Sequence, residues 1–176
     1  ATFQSNLIGV VHLLEAIRLQ SPATRYYQAS TSEMYGGLTE SPLSEANEFH
    51  PRSPYACSKL AAFWHSVNMR EAHDLFICNG VLFNHESPRR GAEFVTQKVV
   101  LGAVDYRAWL GDGAAGEPPV LMLGNLDAQR DWGHARDYVE GMWRMLQQEE
   151  PGDYVLATGE TSKVRAFVEL AFGHPE

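Results

Sequence analysis

The sequence predicts an α/β protein with a mostly parallel sheet, because short apolar runs alternate with amphipathic helical segments along its 176 residues. Three of the apolar runs are typical of buried strands, at 26–30, 75–83 and 154–158. Segments whose apolar residues recur at helical spacing separate these runs, and glycines and prolines mark the connections. In a chain of this length the pattern predicts a core of useful size.

The first half of the chain contains two predicted helices and one predicted strand. The first helix carries an apolar stripe and ends at Ser21-Pro22, and the strand follows at 26–30. Residues 35–53, with two adjacent glycines and two prolines, read as a surface loop. Pro54 opens a helix of about twenty residues. We expect its apolar positions to be Leu60, Phe63, Trp64, Val67 and Met69.

The second half continues the alternation. The strand at 75–83 runs into a polar loop at 84–91, and a helix follows from Phe94 to Trp109. A loop at 111–119 rich in glycine, alanine and proline leads to a short predicted strand at 120–123. A helix at 135–148, the strand at 154–158 and a helix from Val164 complete the predicted elements.

Composition excludes several classes of protein. The formal net charge of −8 argues against a general nucleic-acid binder. No apolar stretch approaches the roughly 20 residues of a membrane span. The spacing of Cys57 and Cys78 is not that of a zinc site, so we expect two buried thiols in a reducing, cytoplasmic setting. The histidines are scattered, and no metal is expected.

Tyr55 and Lys59 are the most informative pair of residues. At positions i and i+4 of the predicted helix they share one face. A nearby cation favours the phenolate form of a tyrosine, which makes it a usable base near neutral pH. Thr31 and Glu33, just after the first strand, add a hydroxyl that can polarise a substrate oxygen and a carboxylate base. Each of these residues alone also suits a packing or surface role. The hypothesis of an acid–base site therefore depends on the presence of all four residues in this order.

Two polar clusters follow predicted strands, at 31–33 and 84–86. Ligands of open α/β sheets bind outside the carboxyl ends of the strands. We therefore expect both clusters at one rim of the sheet, where they would form a single site.

Longer strings of residues resemble a known family. STSEMYG followed by PRSPYACSKLAAFW is similar to the extended short-chain dehydrogenases/reductases. The strings NHESPRRG and RDWGHA, together with DYVLATGETSKVR, resemble the GDP-mannose 4,6-dehydratase family within that group. The resemblance implies a partial Rossmann-like parallel sheet with C-terminal substrate-binding elements. Residues 1–92 would belong to the dinucleotide-binding domain, and residues 93–176 would mainly bind the GDP-sugar.

The resemblance also implies a reaction and a set of site residues. Tyr55, aided by Thr31, would take the proton of the sugar C4 hydroxyl during C4 oxidation, and Glu33 would take the C5 proton as water leaves C6. The implied cofactor is NADP and the substrate is GDP-mannose, in a homo-oligomer (dimer or tetramer). The implied cofactor contacts are Tyr55, Lys59, His85 and Arg90. The implied substrate contacts are Asn84, Lys98, Arg130 and Arg165.

One departure from the family pattern bears on activity. The glycine-rich turn that receives a dinucleotide pyrophosphate does not occur in this sequence. We therefore expect a piece of a longer enzyme that lacks the N-terminal half of the nucleotide-binding domain. The alternatives are a related sugar-nucleotide epimerase or reductase, against which Glu33 argues, and a catalytically inactive fragment that binds a sugar nucleotide.

Overall fold

The computed structural model describes residues 1–37 and 42–173. The predicted loop at 35–53 therefore falls partly outside the described residues. The chain forms two compact units. The first unit contains Ala1–Phe83 and Arg136–Ala157, and the second contains Asn84–Ala135 and Thr158–Glu176.

The described part of the chain has helices and strands in the alternation that the sequence predicts, with four short strands in addition. In chain order they are a π-helical turn (Gln4–Ile8), α1 (Gly9–Gln20), β1 (Tyr26–Thr31), a 3-10 turn (Ser32–Tyr35), α2 (Pro54–His73), β2 (Ile77–Leu82), β3 (Asn84–Glu86), α3 (Val95–Gly111), β4 (Gln129–Arg130), β5 (Trp132–His134), α4 (Ala135–Met145), β6 (Asp153–Leu156), β7 (Ser162–Lys163) and α5 (Val164–Phe172). The four additional short strands are β3, β4, β5 and β7.

The first unit is built on a three-stranded parallel sheet with the order β1-β2-β6. The register pairs Tyr26 with Ile77 and Thr31 with Leu82, so β1 and β2 end side by side. All six residues of the central strand β2 are buried, as expected for a parallel strand that is covered on both faces. The predicted mostly parallel sheet is confirmed.

The core of this unit lies between the sheet and helices α1 and α2. One buried cluster joins the 3-10 turn to α2 and β2 through Met34, Tyr35 and Phe63. A second cluster joins α1 to the end of α2 and to β2, through Leu14, Met69 and Ile77. The two clusters fix α2 against the sheet, and α2 carries the predicted Tyr55 and Lys59.

Gly80 in β2 allows a close approach that no other residue would permit. A Cβ built at this position would lie 2.5 Å from the hydroxyl oxygen of Tyr27 and 2.6 Å from its ring. Tyr27 belongs to the neighbouring strand β1, so its ring crosses the face of β2 at the glycine. Any side chain at position 80 would therefore have to displace the ring of Tyr27 from the face of β2.

The second unit contains two small sheets and helices α3 and α5. Strands β3 and β5 are parallel, with Asn84 opposite Trp132, whereas β4 and β7 are antiparallel, with Arg130 opposite Ser162. The sequence interpretation of 84–91 as a loop is wrong for its first three residues, because they pair with β5. The predicted strand at 120–123 is also wrong, because no described strand pairs with it and the Met122 carbonyl instead accepts from Lys98 Nζ at 2.6 Å.

Two burial expectations need correction. Trp64 was expected on the buried face of α2, but it is 56% exposed. Cys57 was expected to be a buried thiol, but it is exposed, whereas Cys78 is buried as expected. Both exposed residues lie immediately beside buried positions of α2, and a helix turns by about 100° per residue, so adjacent residues face different surroundings.

No helix in the described ranges is both long enough and apolar enough to span a bilayer.

Candidate functional site

Thr31 and Glu33 lie together where β1 ends. Thr31 is the last residue of the strand and caps the 3-10 turn, and its Oγ1 accepts a 3.2 Å hydrogen bond from the backbone N–H of Glu33. A hydroxyl oxygen that accepts this bond keeps its own O–H as a donor. The Glu33 side chain is exposed. This end of the sheet therefore presents one hydroxyl donor and one carboxylate two residues apart.

Tyr55 and Lys59 lie in the first turns of α2. Ser53 caps the helix by accepting from the Ala56 N–H at 3.0 Å, and Pro54 occupies the first helical turn. The Lys59 Nζ lies 5.8 Å from the centroid of the Tyr55 ring, on the shared face that the spacing predicts. Tyr55 is 40% exposed, so a solute can reach its ring.

Lys59 links the helix to the strand. Its Nζ donates a 3.0 Å hydrogen bond to the carbonyl oxygen of Ala29 in β1. Burial lowers the pKa of Lys59 from its ordinary value, because removal from water disfavours the ammonium form. The bond holds the first turns of α2 beside the strand that ends at Thr31. The four predicted catalytic residues thus belong to β1, the 3-10 turn after it and α2, which are all elements of one compact unit.

The same region has donors and acceptors for a cofactor or substrate hydroxyl. An ammonium has three N–H donors, and the bond to Ala29 uses one of them. Ser30, the residue before Thr31, has a buried Oγ without a hydrogen-bond partner among the described residues. Buried hydroxyls are almost always paired, so an unpaired one such as that of Ser30 is unusual.

The predicted ligand residues after β2 belong to the second unit. Asn84 and His85 are both in β3, which pairs with β5. Arg90 Nε lies 3.2 Å from Glu86 Oε2, and its guanidinium carbon lies 3.6 Å from the centroid of the Phe94 ring. The carboxylate and the ring hold the Arg90 side chain across the loop that follows β3.

The remaining predicted substrate residues are also in the second unit. Lys98 is in α3 and donates to the Met122 carbonyl at 2.6 Å. Arg130 is exposed in β4, and its Nη1 donates to the Gln129 carbonyl at 2.7 Å. Arg165 lies in the first turn of α5 and its side chain is half exposed. Its Nε lies 3.6 Å from Asp127 Oδ1. The unit therefore carries several cations on neighbouring segments, which suits a ligand with a diphosphate group.

Sequence reasoning missed two contacts around these residues. Asn6, in the π-helical turn, donates from Nδ2 to Ser58 Oγ at 3.1 Å, and Ser58 Oγ donates to the Tyr55 carbonyl at 2.7 Å. This chain of bonds holds the backbone of Tyr55 from the side of α1. Asp131 is 6% exposed and accepts from the turn at Thr158–Gly159. Neither contact has a local sequence signal, because the partners are far apart in the chain.

A cavity of about 480 Å³ lies within the second unit, between β5, α3 and α5. Its lining is mainly apolar and includes Trp132, Val100 and Phe167, with Glu86 and Gln97 among the polar contributors. The Trp132 indole N–H is buried without a partner among the described residues. The cavity does not contain the catalytic candidates, all of which belong to the first unit.

Comparison with known sequences identifies one family. The family model described as GDP-mannose 4,6 dehydratase matches residues 1–176. The GDP-mannose 4,6-dehydratase of Sinorhizobium fredii is 56% identical over 173 residues, which are 97% of this chain and 47% of that protein. The human GDP-mannose 4,6 dehydratase is 52% identical over 169 residues, which are 95% of this chain and 44% of that protein. The chain thus spans a little under half the length of these relatives.

Comparison with solved structures gives the same type of fold. The dTDP-glucose 4,6-dehydratase of Bacillus anthracis, in complex with NAD, superposes with a TM-score of 0.83 at 24% identity. The match covers 96% of this chain and 51% of that one. RMD from Pseudomonas aeruginosa, complexed with NADPH, gives a TM-score of 0.81 at 28% identity and covers 94% of this chain and 56% of that one. At 24% identity the first likeness shows the fold alone.

Proposed function

The chain belongs to the GDP-mannose 4,6-dehydratase family, and from that premise we propose that it carries the acid–base residues for the dehydration of GDP-mannose to GDP-4-keto-6-deoxymannose. The observation that carries the proposal is the junction of β1 and α2. There Lys59 bonds to Ala29, two residues before Thr31, and lies 5.8 Å from the Tyr55 ring. Glu33 follows at the end of the same strand.

Each of these residues has one task in the proposed reaction. Tyr55 takes the proton of the sugar C4 hydroxyl, and the neighbouring ammonium of Lys59 favours the phenolate that does so. Thr31 donates a hydrogen bond to the same sugar oxygen, since its own oxygen already accepts from the Glu33 N–H. Glu33 takes the C5 proton once C4 is a ketone and passes it to the C6 hydroxyl, which leaves as water. A carboxylate base of this kind is what separates a dehydratase from the alternative epimerase or reductase.

A nicotinamide nucleotide, NADP in this proposal, supplies the hydride acceptor at C4 and the hydride donor at C6, so the cofactor is not consumed. Tyr55, Lys59, His85 and Arg90 are the proposed cofactor contacts. Support for a nicotinamide comes from the NADPH complex of the 28% identical structural neighbour and from the Ser30 hydroxyl, which has no partner among the described residues. The predicted homo-oligomer belongs to the same proposal.

The proposed substrate contacts are Asn84, Lys98, Arg130 and Arg165. Guanidinium groups form forked hydrogen bonds with phosphate oxygens, so Arg130 and Arg165 suit the diphosphate of the sugar nucleotide. Residues 93–176, which hold three of these four contacts, would mainly bind the GDP-sugar. Residues 1–92 would mainly serve the dinucleotide.

The test is calorimetric titration of the chain with GDP and, separately, with NADP. Binding of both supports the enzyme proposal, and formation of the 4-keto sugar nucleotide from GDP-mannose with added NADP would establish it. Binding of GDP without NADP would favour the alternative, a binding fragment without turnover. If a folded chain binds neither ligand, the substrate contacts proposed for it are wrong, and so is the alternative of a binding fragment.

A further inference from the structure

Asp131 separates two short strands that belong to different sheets. It follows β4, which pairs with β7, and it precedes β5, which pairs with β3. The residue is only 6% exposed. A carboxylate loses favourable hydration when it is buried and is retained only where other groups satisfy its oxygens. Its position between two sheets of the second unit therefore calls for a structural explanation.

Three donors satisfy the Asp131 carboxylate, and all three come from one turn. Oδ1 accepts from the Thr158 N–H at 3.0 Å and from the Thr158 hydroxyl at 2.9 Å. Oδ2 accepts from the Gly159 N–H at 2.8 Å. Gly159 has a φ of +82°, a conformation that favours glycine. Hydrogen bonds to an ionised acceptor are roughly twice as strong as neutral ones, so Asp131 clamps this turn.

The clamped turn leads directly into β7, the partner of β4. The β4–β7 ladder has two residue pairs, Gln129 with Lys163 and Arg130 with Ser162. The Val164 N–H extends the contact by bonding to the Ala128 carbonyl at 3.0 Å. So short an antiparallel pair is marginal by itself. Asp131 adds a side-chain anchor at the end of the ladder where the backbone pairing stops.

Each of the two clamped segments carries an arginine. Arg130 is in β4, immediately before Asp131, and Arg165 follows β7 in the first turn of α5. The backbone N–H of Arg165 also bonds to the Leu126 carbonyl at 2.9 Å, on the segment before β4. The relative position of the two arginines therefore depends on how β4 and β7 are held together.

We propose that Asp131 is a positioning residue for diphosphate recognition. By clamping the turn at Thr158–Gly159 it fixes β4 against β7, so that Arg130 and Arg165 can both contact the two phosphates of GDP. The inference rests on the proposed function, because it takes a nucleoside diphosphate as the ligand. The carboxylate itself does not touch the ligand, since its oxygens face the turn. Two guanidinium groups that are held at a fixed relative position favour a diphosphate over a monophosphate, because each can contact one phosphate.

The test compares three variants of the chain for binding of GDP and GMP. Asp131→Asn keeps the shape of the side chain but replaces one acceptor oxygen with a donor. Thr158→Val keeps the carboxylate and removes the hydroxyl, which donates to Asp131 and also accepts from the Glu160 N–H at 3.1 Å. Glu160→Gln is the matched control, because it removes one negative charge from an exposed position on the same turn. Hydrogen exchange at the amides of Thr158, Gly159 and Val164 reports the clamp independently of any ligand.

We expect Asp131→Asn to lower the ratio of GDP to GMP affinity about tenfold, which corresponds to about 1.4 kcal/mol. The three amides should exchange faster in this variant. Thr158→Val should show a smaller loss of the ratio, and Glu160→Gln should resemble the unaltered chain. A general loss of stability would weaken GDP and GMP binding equally, so the ratio isolates the positioning role.

Two results would overturn the inference, and they are distinguishable. If the unaltered chain binds GDP and Asp131→Asn exchanges faster but keeps the GDP-to-GMP ratio, then Asp131 stabilises the turn without positioning the arginines. If Asp131→Asn does not fold, Thr158→Val takes its place in the test. An unchanged ratio of GDP to GMP affinity in Thr158→Val would then show that the clamp does not position the arginines. If the folded, unaltered chain binds no GDP, the proposed function itself is wrong and the positioning role is wrong with it.

Discussion

The Lys59 ammonium nitrogen lies 5.8 Å from the centroid of the Tyr55 ring, one helical turn away on α2. The same nitrogen donates to the Ala29 carbonyl of β1. The lysine is therefore held by the strand while its charge acts on the tyrosine. This arrangement ties the proposed acid–base role of Tyr55 to the packing of α2 on the sheet and makes the effect of Lys59 on Tyr55 measurable without turnover.

Replacing Lys59 with methionine should make the Tyr55 phenolate harder to form. The variant removes a positive charge within about 6 Å of the ring, and opposite charges at such distances change an ionisation by roughly one unit or more. We expect the phenolate absorbance of Tyr55 to appear roughly one pH unit higher than in the unaltered chain. The measurement is an ultraviolet titration, with the signal of Tyr55 taken as the difference from a Tyr55→Phe variant.

Lys59→Arg is the control for this titration, because it keeps a positive charge near the ring. Its difference curve should stay close to that of the unaltered chain. Identical curves for the methionine variant and the unaltered chain would show that Lys59 has no electrostatic effect on Tyr55, and its role would then be limited to the bond with Ala29.

In the proposed reaction, Glu33→Gln should slow dehydration strongly and leave nucleotide binding intact. The Glu33 side chain is exposed, and its backbone is held by the Thr31 hydroxyl, so the amide should not disturb the fold. Loss of a general base typically slows a reaction by about 10²–10⁴-fold. The comparison is the rate of 4-keto product formation from GDP-mannose alongside the affinity for GDP. Glu48→Gln, at another exposed position of the first unit, is the control. Equal rates in Glu33→Gln and its control would exclude Glu33 as the base.

The sequence predicted the elements that have a periodic signal. Helix α2 was expected to begin at Pro54 and to run for about twenty residues, and it spans Pro54–His73. Its cap, its proline and its apolar spacing are all local features. The buried strand β2 was equally clear, because the mostly apolar segment at 75–83 that contains it is long enough to identify. The placement of Tyr55 and Lys59 on one face followed from that helix.

The short strands could not be predicted in the same way. β4 and β7 have two residues each, and β5 has three, which is too few to show alternation. They exist because of pairing between distant segments, such as Arg130 with Ser162. Conversely, residues 120–123 are apolar enough for a strand but have no pairing partner among the described strands. The Asp131 clamp was missed for the same reason, since its partners lie 27 and 28 residues away in the sequence.

Tyr27→Phe should stabilise the chain at neutral pH. The Tyr27 hydroxyl oxygen is buried and has no hydrogen-bond partner among the described residues. A buried unpaired hydroxyl costs about 1–3 kcal/mol, whereas the ring of phenylalanine can occupy the same space over Gly80. We expect a gain of about 1 kcal/mol in the free energy of unfolding at pH 7, measured by urea denaturation. Tyr35→Phe is the control and should be destabilising, because the Tyr35 hydroxyl donates to the Ser44 carbonyl at 2.8 Å.

The same two tyrosines predict how stability depends on pH. Burial raises the pKa of Tyr27 well above its usual value of 10, and burial with the charge of Glu45 raises the pKa of Tyr35 to about 12. Between pH 10 and 12 the unfolded chain loses these protons and the folded chain keeps them, so the free energy of unfolding falls as pH rises. Tyr27→Phe should make that fall less steep. An unchanged slope would contradict the burial of the Tyr27 hydroxyl.

Arg70→Met should destabilise the first unit strongly, because it leaves a carboxylate without its cation. Arg70, in the last turns of α2, forms two hydrogen bonds with Asp153 of β6, at 2.8 Å and 3.0 Å, and the two side chains are only 16% and 25% exposed. Breaking a buried pair costs about 3 kcal/mol or more. The measurement is the midpoint of urea unfolding at pH 7.

Two further variants decide whether the lost charge pair causes this effect. Arg144→Met breaks an Arg–Glu pair whose side chains are 70% and 56% exposed, and exposed pairs contribute about 1 kcal/mol or less. It should therefore change the midpoint little. Asp153→Asn combined with Arg70→Met removes the charge that the single variant leaves unpaired, so the double variant should be more stable than Arg70→Met alone. If the double variant is less stable, the loss reflects packing of the Arg70 stem between α2 and β6, and the ion pair does not hold the helix to the sheet.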